Sequence, residues 1–231
     1  MNLQQRSYRK ELLDRDDIPF DDIRRNMQEL DVINTWLGGH SITLTGFRAL
    51  LQKNKTITVC EIGCGGGDNL AAIASWCMKH FISIHCTGID IKPECIEVAK
   101  RDKVLKNIST WISSDYITVE FEKKPDIIFS SLFCHHFTDD ELIPQLRWMK
   151  ANSRQGFFIN DLQRHVIAYH SIRLLTRLFS SSYLVKNDAP LSVARGFTKR
   201  EWQHIFFDAG IHDAVILWKW AFRFLIIVQN G

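Results

Sequence analysis

Apolar residues recur along this chain with two distinct periods. From residue 21 to 39 they fall every three or four positions, at Ile23, Met27, Leu30, Ile33 and Leu37. That spacing predicts a helix, with Asp21 and Asp22 as first-turn acids and Gly38-Gly39 as its stop. A second, shorter helix is expected from Ser41, burying Leu44, Phe47, Leu50 and Leu51. The pattern then changes to short apolar, β-rich runs: Val59–Ile62, Phe81–Asp90, Ser109–Ser113, the stretch from Pro125 to Phe137, and Gly156–Asp161. The run after Pro125-Asp126 is apolar without alternation, as a strand buried on both faces would be. Thr138-Asp139-Asp140-Glu141 then reads as a helix start, an N-cap type residue followed by first-turn acids. Strands alternating with helices to residue 161 predict a parallel sheet joined by right-handed crossovers.

Beyond Asp161 the period is helical again. Val166, Tyr169, Ile172, Leu175 and Phe179 predict an amphipathic helix within an insertion spanning 162–197. A further helix starts at Thr198, where Thr198 and Glu201 make a capping box, and ends at Gly210. His212–Trp220 and Phe222–Gln229 read as a hairpin. Its second run is too short and interrupted to cross a membrane and is expected as a final buried strand. The expectation is one domain over 1–231, with residues 1–55 as a helical cap.

The candidate chemistry sits where the first strand ends. Glu61-Ile62-Gly63-Cys64-Gly65-Gly66-Gly67-Asp68 delivers a carboxylate and a glycine-dense turn to the carboxyl end of a strand, where open α/β sheets bind ligands. A dinucleotide loop needs a third glycine where Asp68 stands, and a P-loop needs a Lys-Ser/Thr pair that is missing here. Glu61 would repel a pyrophosphate and suits a cation instead. Adenosylmethionine is such a ligand: it carries a sulfonium and an ammonium and no phosphate. Asp90 follows about 20 residues later, the distance at which an acid reaches ribose hydroxyls; it also fits a strand-to-helix junction ahead of Pro93.

The arrangement Glu61-x-Gly63-x-Gly65-x-Gly67, with Asp90 and the later landmarks, resembles the class I SAM-dependent methyltransferases from about Thr56 to Asp161, and more weakly to the C-terminus. The resemblance implies an α/β, Rossmann-like, doubly wound and mostly parallel sheet of seven strands in the order 3-2-1-4-5-7-6. It implies S-adenosyl-L-methionine as cofactor, bound by Glu61, Gly63, Cys64, Gly65, Asp90, Ile91, Asp115, Tyr116 and Ser130. Asp90 takes the ribose in this family and Asp115 matches the acid that meets adenine, although a polar turn residue would look the same. The segment ending in His135-His136 matches one found beside the methyl donor. Asp161-Leu162-Gln163-Arg164-His165 and Leu174-Leu175-Thr176-Arg177 look like a bacterial subgroup acting on small aromatic or polyketide-type acceptors. Methylation of a hydroxyl needs its proton removed, which a histidine does near neutral pH. The catalytic candidates are therefore His135, His136, Asp161 and His165, each of which also fits a capping or packing role.

Composition narrows the alternatives. A net charge of +3 over 231 residues does not argue for nucleic acid. The six cysteines form no C-x-x-C pair and have no histidine at zinc-finger spacing, so no metal is expected. Reduced, buried thiols and the lack of an apolar leader core point to the cytoplasm. Residues 151–200 hold eight basic residues against Asp161 and Asp188, whereas residues 1–40 hold six basic against eight acidic. Such a run can be a solvated face. It can also make the insertion a basic lid that meets the N-terminal helices over an anionic acceptor, such as a phenolate, a carboxylate or a carrier-bound acyl group. C-methylation of a quinone-type ring, a nicotinamide-dependent oxidoreductase and a catalytically silent binding module are the competing expectations.

Overall fold

The computed structural model describes residues 3–15, 17–52 and 56–231. Seven strands form one sheet in the order β3-β2-β1-β4-β5-β7-β6: β1 Thr56–Ile62, β2 Ser83–Asp90, β3 Ser109–Ser113, β4 Ile127–Ser131, β5 Gly156–Leu162, β6 Val215–Lys219 and β7 Arg223–Gln229. The pairs among β1 to β5 are parallel, and β7 runs antiparallel to both β5 and β6. The expected fold class and strand order are those observed.

Alternation along each strand sorts the core into two layers. Cys60, Ile62, Ile128, Phe157, Ile159, Ile226 and Val228 face α5 (Asp139–Asn152) and α8 (Lys199–Asp208), meeting Leu142, Leu146, Trp202 and Phe206. Ile57, Val59, Phe129, Phe158 and Leu225 point the other way, onto Phe47 and Leu50 of α2 (Gly39–Leu50) and Leu70, Ile73 and Ala74 of α3 (Asp68–Lys79). Helix α4 (Pro93–Ala99) links β2 to β3.

Three boundaries differ from expectation. Helix α1 (Phe20–Trp36) is followed at once by α2, because Gly38 turns the chain at φ 74°; α2 thus begins before Ser41. Strand β4 stops at Ser131, although the sequence stays apolar. Leu132, at φ 52°, bends the chain out of the sheet, and Cys134–His136 close into a 3-10 turn. In the insertion, α6 (Val166–Phe179) buries Ala168, Ile172 and Thr176, while Leu175 and Phe179 of the expected stripe are 40% and 80% exposed. A second helix, α7 (Tyr183–Arg195), packs beside it and was not foreseen.

Capping fixes the helix that follows the 3-10 turn. Thr138 accepts from the Glu141 amide while Glu141 accepts from the Thr138 amide. Thr138→Ala is expected to lower stability by about 1 kcal/mol, read as a lower urea midpoint at unchanged slope. Among the described residues no helix is long and apolar enough to cross a membrane.

Candidate functional site

The loop after β1 is built for close approach. Gly63, Gly65 and Gly67 have φ of 64°, 50° and 78°, all left-handed. A Cβ on Gly63 would meet the Phe133 ring at 2.0 Å, so the loop and the segment after β4 are fitted to one another. Asp90, at the end of β2, holds the loop: its carboxylate accepts from the Gly65 amide at 2.9 Å and from the Lys92 amide at 2.9 Å. Burial pushes the Asp90 carboxyl above its usual range, while those amides pull it down. Met27 of α1 lies over Gly65 and Gly66.

Glu61 lies beneath the loop, 1% exposed, and neither of its oxygens has a hydrogen-bond partner among the described residues. Burial raises its pKa well above the ordinary value, Asp68 and Asp90 raise it further, and the neighbouring Asn69 side chain, outside good hydrogen-bond geometry, opposes them only in part. An unsatisfied buried carboxylate is costly unless a cation or a proton answers it. Its folded pKa exceeds its unfolded value, so folding takes up a proton here. In the unliganded chain the contribution of Glu61 to stability is fully present below the ordinary carboxylate range and is lost as pH rises through the folded value. Glu61→Gln is expected to flatten that decline and to stabilise the unliganded chain at neutral pH by about 1–3 kcal/mol, measured by thermal melts across pH.

A second group gathers at the ends of β4 and β5. His135 Nδ1 is 2.8 Å from Asp161 Oδ1, and both residues are buried. His135 Nε2 lies 3.6 Å from Glu11, and His136 Nε2 lies 3.8 Å from the same carboxylate. His136 Nδ1 faces Asp14 at 3.4 Å, with its side chain 24% exposed. Although burial opposes its charge, Asp161 and Glu11 raise the His135 pKa to about 9. Glu11 and Asp14 belong to an N-terminal segment that lies against α7. Leu12 and Leu13 donate to Asp188, and Ser192 donates to Glu11 at 2.6 Å. Arg195 donates to the carbonyls of His135 and His136, and Arg6 to that of Phe137.

The structure thus brings His135, His136 and Asp161 together and sets His165 apart. His165 caps α6 by accepting from the Ile167 amide through Nδ1, and its ring stacks on Phe222. Cys64 is 2% exposed, and burial raises its thiol pKa. Ser130 is buried against Cys134, whereas Ile91 is 69% exposed beside Asp90. Asp115 caps the turn Tyr116–Thr118 through the Ile117 amide, and Tyr116 packs edge-on to Phe133. All six cysteines are free and buried. The insertion and the N-terminal helices do meet: Glu29 of α1 accepts from Ser181 and Ser182. The basic run is less free than its charge implied, because Arg154, Arg164 and Arg195 are engaged internally.

Sequence reading missed Glu11, Asp14 and Arg195, which reach the site from opposite ends of the chain with no spacing to betray them. It also missed Arg223, buried at the start of β7. Arg223 Nη2 donates to Asn34 at 2.9 Å, while Nη1 has no partner among the described residues. Burial lowers the Arg223 pKa to about 10, against Asp161 and Asp68.

A family model described as a methyltransferase domain matches residues 53–210. The chain belongs to this methyltransferase family. A search of curated protein sequences returns no match. Solved structures of similar shape include the plantazolicin methyltransferase in complex with SAH, with a TM-score of 0.64, 16% identity, and 90% of each chain covered. Human N-acetylserotonin methyltransferase in complex with SAM has a TM-score of 0.65 and 17% identity, over 92% of this chain and 57% of the human one. A SAM-dependent methyltransferase from Aquifex aeolicus has a TM-score of 0.64 and 17% identity, over 90% of this chain and 98% of its own. This methyltransferase uses S-adenosyl-L-methionine.

Proposed function

We propose that this methyltransferase methylates a hydroxyl oxygen of a small aromatic or polyketide-type acceptor in the cytoplasm. The observation that carries the cofactor half is Glu61: a buried carboxylate with two unanswered oxygens beneath a glycine cradle. Its chemistry fits a cationic nucleoside and would repel a pyrophosphate. Glu61 would face the positive end of the cofactor, and Asp90 would accept from the ribose hydroxyls. The backbone at Gly63, Cys64 and Gly65 would line the close approach, with Ile91, Asp115 and Tyr116 around the base and Ser130 below. When bound, adenosylmethionine supplies a methyl group on a sulfonium, an excellent leaving group. The protein's task is then alignment and exclusion of water, and the Met27 side chain and the N-terminal segment would serve both.

The acceptor half rests on the cluster of Glu11, His135, His136 and Asp161. A hydroxyl must shed a proton before or during attack, and this cluster would receive it, with His136 as its exposed corner. His165 is left out of the proton step: its Nδ1 accepts from a backbone amide, so the neutral ring carries its proton on Nε2 and has no lone pair free. Arg223 supports an anionic or carrier-bound acceptor, because a buried guanidinium with an unpaired donor answers a carboxylate or phenolate. Six free, buried cysteines support a reducing compartment.

The test is an acceptor screen that follows adenosylhomocysteine release over phenols, polyketide acids and quinol precursors. The expected product is an O-methyl ether. A ring-methylated product would move the reaction to carbon, and release with none of these compounds would contradict the acceptor class.

A further inference from the structure

We propose that Glu11, His135 and His136 form a binding site for a divalent metal ion of the zinc class, which clasps the N-terminal segment onto the end of β4. Three side-chain atoms converge there, one from each residue, all within 4.8 Å of one another. The His135 and His136 Nε2 atoms stand 3.6 and 3.8 Å from Glu11 oxygens, too far for hydrogen bonds. Donors sharing one tetrahedral zinc ion at about 2.0–2.1 Å stand roughly 3.3–3.4 Å apart. Each histidine stands off one Glu11 oxygen by about the spacing of neighbouring ligands, to within a few tenths of an ångström, His135 from Oε1 and His136 from Oε2.

The far sides of the rings supply an independent observation. His135 Nδ1 meets Asp161 at 2.8 Å, and His136 Nδ1 faces Asp14 at 3.4 Å. In the neutral ring a carboxylate at Nδ1 keeps a proton on that nitrogen and leaves the Nε2 lone pair pointing outward, the arrangement that orients histidines toward a metal; binding would release the second proton that the neighbouring acids favour on His135. Here both histidines have it, and both Nε2 atoms turn to one carboxylate. The two rings lie 4.5 Å apart at 33°. Arg195 holds both of their carbonyls, at 3.0 and 2.8 Å, which fixes the turn that carries them. Three acids, Glu11, Asp14 and Asp161, face the site against the guanidiniums of Arg6 and Arg195, with Asp188 below the segment.

Two imidazoles and a carboxylate select zinc or its first-row neighbours. Magnesium and calcium prefer all-oxygen sets. Three protein ligands also leave a coordination position open. A second mixed cluster among the described residues, Asp31, His40 and Asp68, does not compete: His40 and Asn34 already satisfy Asp68 by hydrogen bonds at 2.7 and 3.2 Å. No spacing in the sequence could pair Glu11 with His135-His136, hence the contrary expectation of no metal. Zinc would take the Nε2 lone pair that His136 needs as proton acceptor, so the metal-bound chain is a form in which that step is blocked; the binding is measured without methyl donor or acceptor, so the two readings stand or fall separately.

The experiment uses the full chain, stripped with a chelator and titrated with Zn2+ or Co2+ alone by calorimetry and absorption. The expected result is one equivalent bound, visible Co2+ bands of a low-symmetry site, and no response to Mg2+. Glu11→Gln and His136→Asn should each weaken binding by at least about tenfold to a hundredfold, while His204→Asn, on the exposed His204–Asp208 pair of α8, should not. Bound Zn2+ should also slow tryptic cleavage at the exposed Arg9 and Lys10 of the wild-type chain. Absence of saturable Zn2+ or Co2+ binding by the wild-type chain would overturn the site. So would stoichiometric binding retained by both folded variants, or binding lost only with His204→Asn.

Discussion

Asp90→Ala will weaken adenosylmethionine binding by roughly two to four orders of magnitude, since each hydrogen bond to a charged group contributes about 1.5–3 kcal/mol and two are lost. The loss has a direct part and an indirect one. The direct part is the carboxylate offered to two ribose hydroxyls. The indirect part is the anchor on the Gly65 amide, which holds a left-handed glycine turn in place. Burial raises the Asp90 pKa, and the Lys92 and Gly65 amides oppose that rise by stabilising the carboxylate. Asp90→Asn separates the parts, because an amide oxygen can keep the Gly65 contact without the charge. Its affinity should fall between those of wild type and alanine. Calorimetry on folded variants measures both, and wild-type affinity for Asp90→Ala would remove this residue from the site.

His136→Asn should lower methyl-transfer turnover by about a hundredfold or more, the range in which positioned proton-transfer groups contribute. Adenosylmethionine affinity should stay within a few-fold of wild type. His136 sits on the 3-10 turn after β4, partly exposed, with Asp14 facing its Nδ1 at 3.4 Å and Glu11 standing 3.8 Å from its Nε2. His135, beside it, is buried between Asp161 and Glu11 and offers no open edge. Asparagine keeps a polar group of similar reach and removes the imidazole. Single-turnover measurements with the best acceptor from the screen separate chemistry from binding. Unchanged turnover would free His136 of any role in the reaction.

The parallel sheet could be read from the sequence because its strands are buried on both faces and each ends in a recognisable turn. The glycine loop, Glu61 and Asp90 form a local pattern: a single β-α-β unit brings them together, so order along the chain predicts adjacency in space. The same holds for the capping boxes at Thr138 and Thr198, where both partners lie within one helical turn.

Where contacts join distant segments, the sequence was silent. Glu11 reaches His135 only because Asp188, Ser192 and Arg195 of α7 hold the N-terminal segment down. Arg223 reads as the polar start of a strand, and only the sheet order places it under Gly39 and beside Asn34. The apolar stripe of α6 misled for a related reason. Helical spacing marks residues that share a face but not which of two apolar faces is covered, and packing against α7 and α1 chose Ala168 and Ile172 over Leu175 and Phe179.

Titration of the purified chain with adenosylmethionine, and separately with adenosylhomocysteine, tests the central claim most directly. The expected outcome is saturable one-to-one binding of both, weakened in Asp90→Ala and in Glu61→Gln. No heat and no thermal shift with either ligand at millimolar concentration, in a chain shown to be folded, would contradict it.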